Sequence, residues 1–322
     1  MPDLGGKRTL VTGAGGFIGA NLVRALAGRG AEVHAIVRGA TNLWRLAGIE
    51  PEIEIHLADL TDGARLTEVI KAARPEIIFN SAVFSGHPSN SEERVAALRD
   101  NVIGTANLLE SLAAVEFSRL VHLGGSLEYG AKAEPMLESD LLEPTTFRGV
   151  TKAAATLLCR QFALSERRPV VILRPFSVFG YWEAHSRLVP TLMLALLKHN
   201  ELRLTAGGIR RDFIFIEDVV EACLAAATTA GIEGEIINAG SGEQWSNEEL
   251  AAAAQEVAGI EIKMTPDAFP RRPADTDHWV ADVSKAKRLL GWAPRHTLRE
   301  GLAKTFAWFR EYEREYDHWL DQ

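Results

Sequence analysis

Short apolar runs alternate along this chain with stretches whose apolar residues recur at helical spacing. Residues 7–12, around Thr9, Leu10 and Val11, read as a strand, and Ala20, Leu22, Val23 and Leu26 then follow in a helical pattern. The alternation continues through strands at Glu32–Val37, Ile53–Leu57, 76–80 and Arg119–Leu123, with helical patterns such as 66–73 and 101–114 between them. Strands separated by amphipathic helices predict an α/β fold with a parallel, doubly wound sheet. Ligands of such a sheet bind beyond the carboxyl ends of its strands. In the second half, 212–216 and 235–238 are strand-like, and helical patterns lie at Leu188–Leu197, 219–228, Asn247–Ala258 and 298–309.

The first strand runs into Thr12–Gly13–Ala14–Gly15–Gly16–Phe17–Ile18–Gly19, with glycines at 13, 16 and 19. These spaced glycines serve a tight turn, close backbone approach to a pyrophosphate, and close packing of helix on strand. The helix that follows turns its first amide groups and positive dipole end toward the phosphates. Strand–turn–helix is the setting this motif requires, so a dinucleotide is expected there. Strand two ends at Arg38. An acidic residue at that point would bond the adenosine ribose hydroxyls and mark NAD. A guanidinium instead offers a cation to a 2′-phosphate, so NADP is the first expectation and NAD the second, unless Arg38 is simply a solvated surface residue. Asp59 and Leu60, after strand three, are placed to meet the adenine, although the aspartate also suits a helix N-cap or turn.

Composition removes several classes. The formal charge of −8 leaves no basic footprint for nucleic acid. No run reaches the ~18 apolar residues needed to span a bilayer, and no leader pattern precedes the first strand, so a cytoplasmic protein without a membrane partner is expected. The two cysteines, Cys159 and Cys223, lie in apolar helical stretches and read as buried reduced thiols. No Cys/His cluster has zinc spacing, so no metal is expected. The glycine loop lacks the terminal Lys-Ser/Thr of a nucleoside triphosphate site, and no Gly-x-Ser-x-Gly elbow is present.

The order and spacing of further motifs is similar to the extended short-chain dehydrogenase/reductase superfamily, in particular its nucleotide-sugar epimerases, dehydratases and reductases. Besides the glycines, these motifs are Asp100–Asn101–Val102–Ile103–Gly104–Thr105, Glu128–Tyr129–Gly130, Lys152, Leu173–Arg174–Pro175, the run from Arg211 to Val219, Asn238–Ala239–Gly240, Arg272–Pro273 and Leu290–Gly291–Trp292. The resemblance covers essentially the whole chain. It implies a Rossmann dinucleotide-binding domain over residues 1–175 and a smaller C-terminal α/β substrate domain over 176–322, with some crossover between them. It also implies a nucleotide-diphosphate sugar as substrate. Cofactor contacts would then fall on Gly13, Gly16, Phe17, Ile18, Gly19, Arg38, Asp59 and Leu60, and toward the nicotinamide on Ser81, Ala82, Asn101, Lys152 and Pro175. Ser177 would line the sugar site. Arg211 and Arg272 would pair with diphosphate oxygens and Asp275 with a sugar hydroxyl, unless Arg211 is taken up by Asp212 or Glu217. The resemblance further implies a homodimer pairing through helices near 96–114 and 152–166, whose apolar stripes could equally be internal core.

The redox chemistry of the superfamily moves a hydride between a sugar carbon and nicotinamide, and a proton between the sugar oxygen and the tyrosine of a Tyr-x-x-x-Lys helix. Here that helix reads Phe147–Arg148–Gly149–Val150–Thr151–Lys152. The lysine is present and Arg148 stands in the tyrosine position. An arginine cannot act as a base near neutral pH, but it can donate to an oxyanion or a bound anion. The hydroxyl partner expected four residues before Tyr129 is Gly125, with Ser126 one place late. Ordinary 4,6-dehydration is disfavoured, because Ser126–Leu127 replaces the acid/base pair. Two accounts stand. Either Tyr181, Glu183, His185 or His87 supplies the proton in a keto-sugar reductase or epimerase, or the chain binds cofactor and nucleotide sugar as a regulatory or structural partner. The C-terminal run from Trp308 to Tyr316 mixes charges and aromatics and reads as the solvated end of a helix.

Overall fold

Seven parallel strands, ordered β11-β6-β5-β4-β1-β2-β3, form the central sheet of this computed structural model. They are β1 (Arg8–Thr12), β2 (Glu32–Val37), β3 (Ile53–Leu57), β4 (Ile77–Asn80), β5 (Arg119–Leu123), β6 (Val170–Pro175) and, returning from the second half, β11 (Ile236–Ala239). The structure describes residues 4–39, 41–84, 86, 88–272 and 275–320, without the side chains of 314, 315 and 317–320. His87 and Pro273 therefore lie outside the described residues.

Both faces are buried at β1, β4, β5 and β6, which is why these strands read as largely apolar runs, whereas the edge strand β3 is only partly covered. Leu10, Ile78, Leu120 and Ile172 turn one way, toward α2 (Gly63–Ala73), α4 (Gly104–Ala113) and α5 (Phe147–Ser165). Val11, Phe79, Val121 and Val171 turn the other way, toward α1 (Phe17–Ala27) and α7 (Ile216–Thr228). The strand order reverses between β1 and β4, which opens the crevice at which such sheets take ligands.

The expected helix over 101–114 is broken into parts. α3 (Ser91–Leu98) passes through a π-helical turn at Arg99–Ile103 before α4 begins. The wider turn leaves Asn101 buried. Residues 170–175 form a central strand that periodicity did not single out, because Arg174 and Pro175 interrupt the apolar run.

The smaller lobe holds three two-stranded ribbons. β7 (Ser177–Phe179) pairs with β10 (Phe213–Phe215), β8 (Leu202–Thr205) with β13 (Met264–Phe269), and β9 (Arg210–Arg211) with β12 (Trp245–Ser246). α6 (Leu188–Leu197), α8 (Asn247–Ala258), α9 (Ser284–Leu290) and α10 (Leu298–Leu320) complete it.

The C-terminal run is solvated on one side only, where Arg310 and Glu311 are exposed. Phe309 and Tyr316 are fully buried. α10 is kinked at Tyr312, and around the kink Trp308 stacks on Tyr312 at 5.3 Å and meets Tyr316 edge-on at 5.9 Å. Tyr316 meets Trp44 edge-on at 5.6 Å, and Trp182 lies 5.0 Å from Trp308. Arg24 and Arg45 cover this cluster, 4.2 Å over Trp182 and 4.3 Å over Trp44. Mixed charge along the run hid an apolar stripe that only the partner aromatics make buried.

Candidate active site

The turn between β1 and α1 is built for glycine. Gly13 has φ +64, and a Cβ there would stand 2.7 Å from the Ala82 backbone. A Cβ on Gly19 would stand 2.2 Å from Gly13 O and 2.8 Å from Ser81 Oγ. Ser81 is itself fixed by a 2.6 Å bond to Thr12 O. The end of β4 thus presses directly on the loop, and Ser81 and Ala82 are brought to it as expected. α2, α3, α5 and α8 are each N-capped by a side chain: Asp62, Asn90, Thr146 and Ser246. α1 is not: its N-cap is Gly16, with no side-chain bond and no acidic residue in the first turn. Its mouth therefore presents the amides of Phe17 and Ile18 with nothing anionic against them, the arrangement that holds a phosphate. A pyridine dinucleotide fits this cradle.

Arg38, at the end of β2, is half-exposed and donates to Asp100 Oδ2 at 3.0 Å. Thr61 donates both its backbone N–H and its hydroxyl to Asp59 Oδ1 at 2.8 Å. Burial alone would raise the Asp59 carboxyl, but these bonds together with Arg38 and Arg99 hold it below its ordinary value. Asp100 is pushed up, by burial first, and then by Asp59 against the pull of Arg38. The guanidinium expected to await a 2′-phosphate thus already stands between two carboxylates. Leu60 is buried against the start of α4.

Polar side chains cross the middle of the sheet at its carboxyl end. Thr12 Oγ1 donates to Asn80 Oδ1 at 2.7 Å, and Asn80 Nδ2 lies 3.0 Å from His122 Nδ1. Burial keeps His122 neutral, with Lys152 acting in the same direction. Asn101 donates to Thr151 Oγ1 at 2.8 Å and accepts from the Phe84 amide at 2.8 Å. Its side chain is taken up in locking α5 to the loop after β4, so it is a positioning residue here.

Lys152 lies almost fully buried on α5 and donates to Leu123 O. Burial brings its ammonium down to about 8, Glu128 opposes that, and Arg148 reinforces it. Arg148 stands one turn earlier on α5, partly buried, and its guanidinium makes no hydrogen bond or ion pair among the described residues. Burial and Arg187 both weaken its hold on its proton. Gly125 has an extended backbone, and a Cβ there would touch only Lys152 Cε, at 3.9 Å. A hydroxyl partner at 125 would therefore face the site, and it is missing.

Ser126 does not replace it. Its Oγ accepts from Trp279 Nε1 at 3.1 Å in a buried contact with the other lobe. The turn carrying it is fixed by Glu128, which accepts from Gly125 N at 2.7 Å, Thr156 Oγ1 at 2.9 Å and Arg174 Nε at 2.9 Å. Tyr129 is fully buried and donates to Asn238 Oδ1 at 2.7 Å, and burial raises its phenol further. Pro175 closes β6 beside Ala239, and Ser177 opens β7.

Arg211 donates to Asp275 Oδ1 at 2.8 Å and lies 5.4 Å over the Trp279 ring. Asp212 instead binds the Ser241, Gly242 and Ala281 amides, and Glu217 takes Lys304 and Tyr181, so neither holds Arg211. Asp275 also accepts from the Arg272 amide at 2.8 Å. Arg211, Arg271 and Arg272 are close enough that each of the last two lowers the first, after burial. Cation, carboxylate and aromatic are thus gathered at one place in the smaller lobe.

Of the expected proton carriers, Tyr181 is bound to Glu217 at 3.0 Å and packed on Phe215 and Trp308. His185 is exposed. Glu183 is buried, and its Oε2 has no hydrogen-bond partner among the described residues. Burial lifts its carboxyl to about 8, opposed by Arg187, the Gly180 amide and Arg45. Arg187 thus acts on both Glu183 and Arg148. Trp279, Thr151 and the Glu128–Arg174 pair escaped sequence reasoning, because each works through a partner distant in sequence.

Residues 9–240 match the family described as NAD dependent epimerase/dehydratase. The UDP-glucose 4-epimerase of Mycolicibacterium smegmatis is 30% identical over 315 residues, covering 94% of this chain and 98% of that protein. Among solved structures, the UDP-glucuronic acid 4-epimerase of Bacillus cereus, in complex with UDP-glucuronic acid and NAD, superposes with a TM-score of 0.85 at 26% identity, covering 94% of this chain and 99% of that one. The epimerase Mth375 of Methanothermobacter thermautotrophicus superposes at 0.89 with 29% identity, covering 98% and 95%.

Proposed function

The chain belongs to the NAD dependent epimerase/dehydratase family, and we propose on that footing that it is an NAD(P)-dependent enzyme acting on a nucleotide-diphosphate sugar without the usual tyrosine. The observation that carries this reading is the glycine cradle with an uncapped helix mouth, in a chain whose second half gathers Arg211, Arg272 and Trp279. When bound, the nicotinamide supplies hydride acceptance and donation at a sugar carbon. Everything else falls to the chain.

Lys152, buried on α5 with its ammonium lowered to about 8, would hold the nicotinamide ribose. Arg148 donates to the sugar oxygen as negative charge develops on it, a role that needs no proton exchange. Of the expected proton carriers, Glu183 is assigned the exchange, because burial lifts its carboxyl to about 8 and its Oε2 has no hydrogen-bond partner among the described residues. Arg211 opens from Asp275 to take the diphosphate, and Asp275 then turns to a hydroxyl of the nucleoside.

Net reduction of a keto-sugar or epimerisation through one are the two outcomes of this chemistry. Arg38 supports NADP and hence reduction, while NAD is what the Bacillus cereus relative carries. We further propose a homodimer through the outer faces of α3 and α5, where Val95, Leu98, Leu157 and Leu164 are each more than two-fifths exposed. The test of the whole reading is thermal stability with NAD or NADP present, as UDP-, dTDP-, CDP- and GDP-sugars are added in turn. A shift with one base class is expected. No shift with any, together with no sugar nucleotide in the native cargo by mass spectrometry, would remove the substrate assignment.

A further inference from the structure

At the far edge of the sheet, His34 on β2 and Glu54 and His56 on β3 gather on one face. We propose that these three side chains bind a borderline divalent transition-metal cation such as Zn²⁺, Co²⁺ or Ni²⁺, with Glu32 as the outer partner of His34. This goes beyond the nucleotide-sugar reading and does not depend on it. No spacing in the sequence announces the site, because parallel pairing assembles it: His34 lies opposite Glu54, and His56 two residues on shares their face.

One donor atom from each of the three side chains lies within 4.8 Å of the other two, and Glu54 turns one carboxylate oxygen to each imidazole. His34 Nδ1 is 2.9 Å from His56 Nε2 and 3.4 Å from Glu54 Oε2, and His56 Nε2 is 3.5 Å from Glu54 Oε1. A tetrahedral cation with bonds of about 2.0–2.1 Å separates its ligands by about 3.3 Å. One such ion can therefore be reached by one nitrogen of each histidine and one Glu54 oxygen after small side-chain adjustments. Two nitrogens and one carboxylate suit zinc and its neighbours, whereas Mg²⁺ and Ca²⁺ require oxygen shells. Glu54 is 65% exposed, so the fourth position opens to water.

Arg65, the cation on α2 near the cluster, is turned to Leu57 O and Glu68. His34 is 3% exposed, and its Nε2 has no hydrogen bond among the described residues although Glu32 Oε1 stands 3.3 Å away. With Nδ1 on a metal, Nε2 must carry the proton and point it at Glu32. That is the carboxylate–histidine–metal arrangement in which an outer carboxylate fixes the tautomer. The alternative is two neutral imidazoles bonded only to each other, which takes up no ion.

The test uses the full chain, free of any affinity tag and stripped with chelator. Co²⁺ is titrated and visible absorption read, followed by displacement with Zn²⁺. One equivalent with intense tetrahedral bands is expected, and Zn²⁺ should raise Tm. His56→Gln, at a partly exposed position, should abolish the bands and the Zn²⁺ shift while leaving the circular dichroism unchanged. Glu54→Gln should weaken Co²⁺ binding about tenfold or more. No bands in the wild type, or bands of equal strength in His56→Gln, would overturn the proposal.

Discussion

Arg148 stands one helical turn before Lys152 on α5 and works against the charge on its ammonium. In a tyrosine–lysine pair the lysine cation stabilises a phenolate. Here two cations confront each other, and the arginine has no counter-charge among the described residues. The pair therefore favours negative charge brought by a ligand, and in the proposed reading Arg148 serves as a donor.

Restoring the tyrosine alone should do little. Position 125 also lacks its hydroxyl, and the Ser126 hydroxyl is bound to Trp279. A serine at 125 has room, since its Cβ would meet only Lys152 Cε at 3.9 Å. Arg148→Tyr is expected to leave turnover weak, whereas Gly125→Ser with Arg148→Tyr should raise kcat by about 10²–10⁴, the usual worth of general acid–base catalysis. Steady-state kinetics with nucleotide sugars decide this. Full activity in the single variant would mean that another hydroxyl serves.

Arg38 sets the cofactor question. If its guanidinium leaves Asp100 for a 2′-phosphate, Arg38→Ala should weaken NADP binding by about tenfold, a single charge-assisted contact, and leave NAD nearly unchanged. Equal affinities for both, unaltered by the substitution, would assign Arg38 to holding Asp100. Fluorescence titration of both dinucleotides reads the difference.

Glu183 ties stability to pH. Its folded carboxyl holds a proton up to about 8, whereas an unfolded one releases it near ~4.3. Between those values the unfolded chain binds fewer protons, so this group makes the wild type lose stability as pH rises through the window. Glu183→Gln removes that loss. The variant should gain on the wild type between pH ~5 and ~8 in urea midpoints, while its kcat falls by about 10² if the carboxyl carries the proton. A pH-independent difference would place Glu183 in packing alone.

The outer face of α5 offers a test of assembly. Leu157 and Leu164 are 53% and 58% exposed. Leu157→Glu should shift a dimer to a monomer in size-exclusion chromatography, because a charge in a self-complementary interface meets its own copy. A monomeric wild type would refute the pairing.

Strands β1 to β5, the glycine cradle and Lys152 were legible because each is local: a periodicity, a turn or a fixed spacing carries it. The fate of Arg38, Ser126 and Arg211 was not, because each is decided by a partner remote in sequence, namely Asp100, Trp279 and Asp275. The C-terminal aromatics misled for the same reason. Their charges are visible in sequence, and the Trp44 and Trp182 rings that bury them are not.

That last cluster has a consequence for how the molecule comes into being. Trp44 leaves a ribosome well before Tyr316, the ring it packs against. The side of the dinucleotide lobe around Arg24 and Arg45 thus remains an unfinished, partly apolar surface until Tyr316 has emerged. The growing chain must carry that exposed face until then, and loss of the segment around Tyr316 should expose it again.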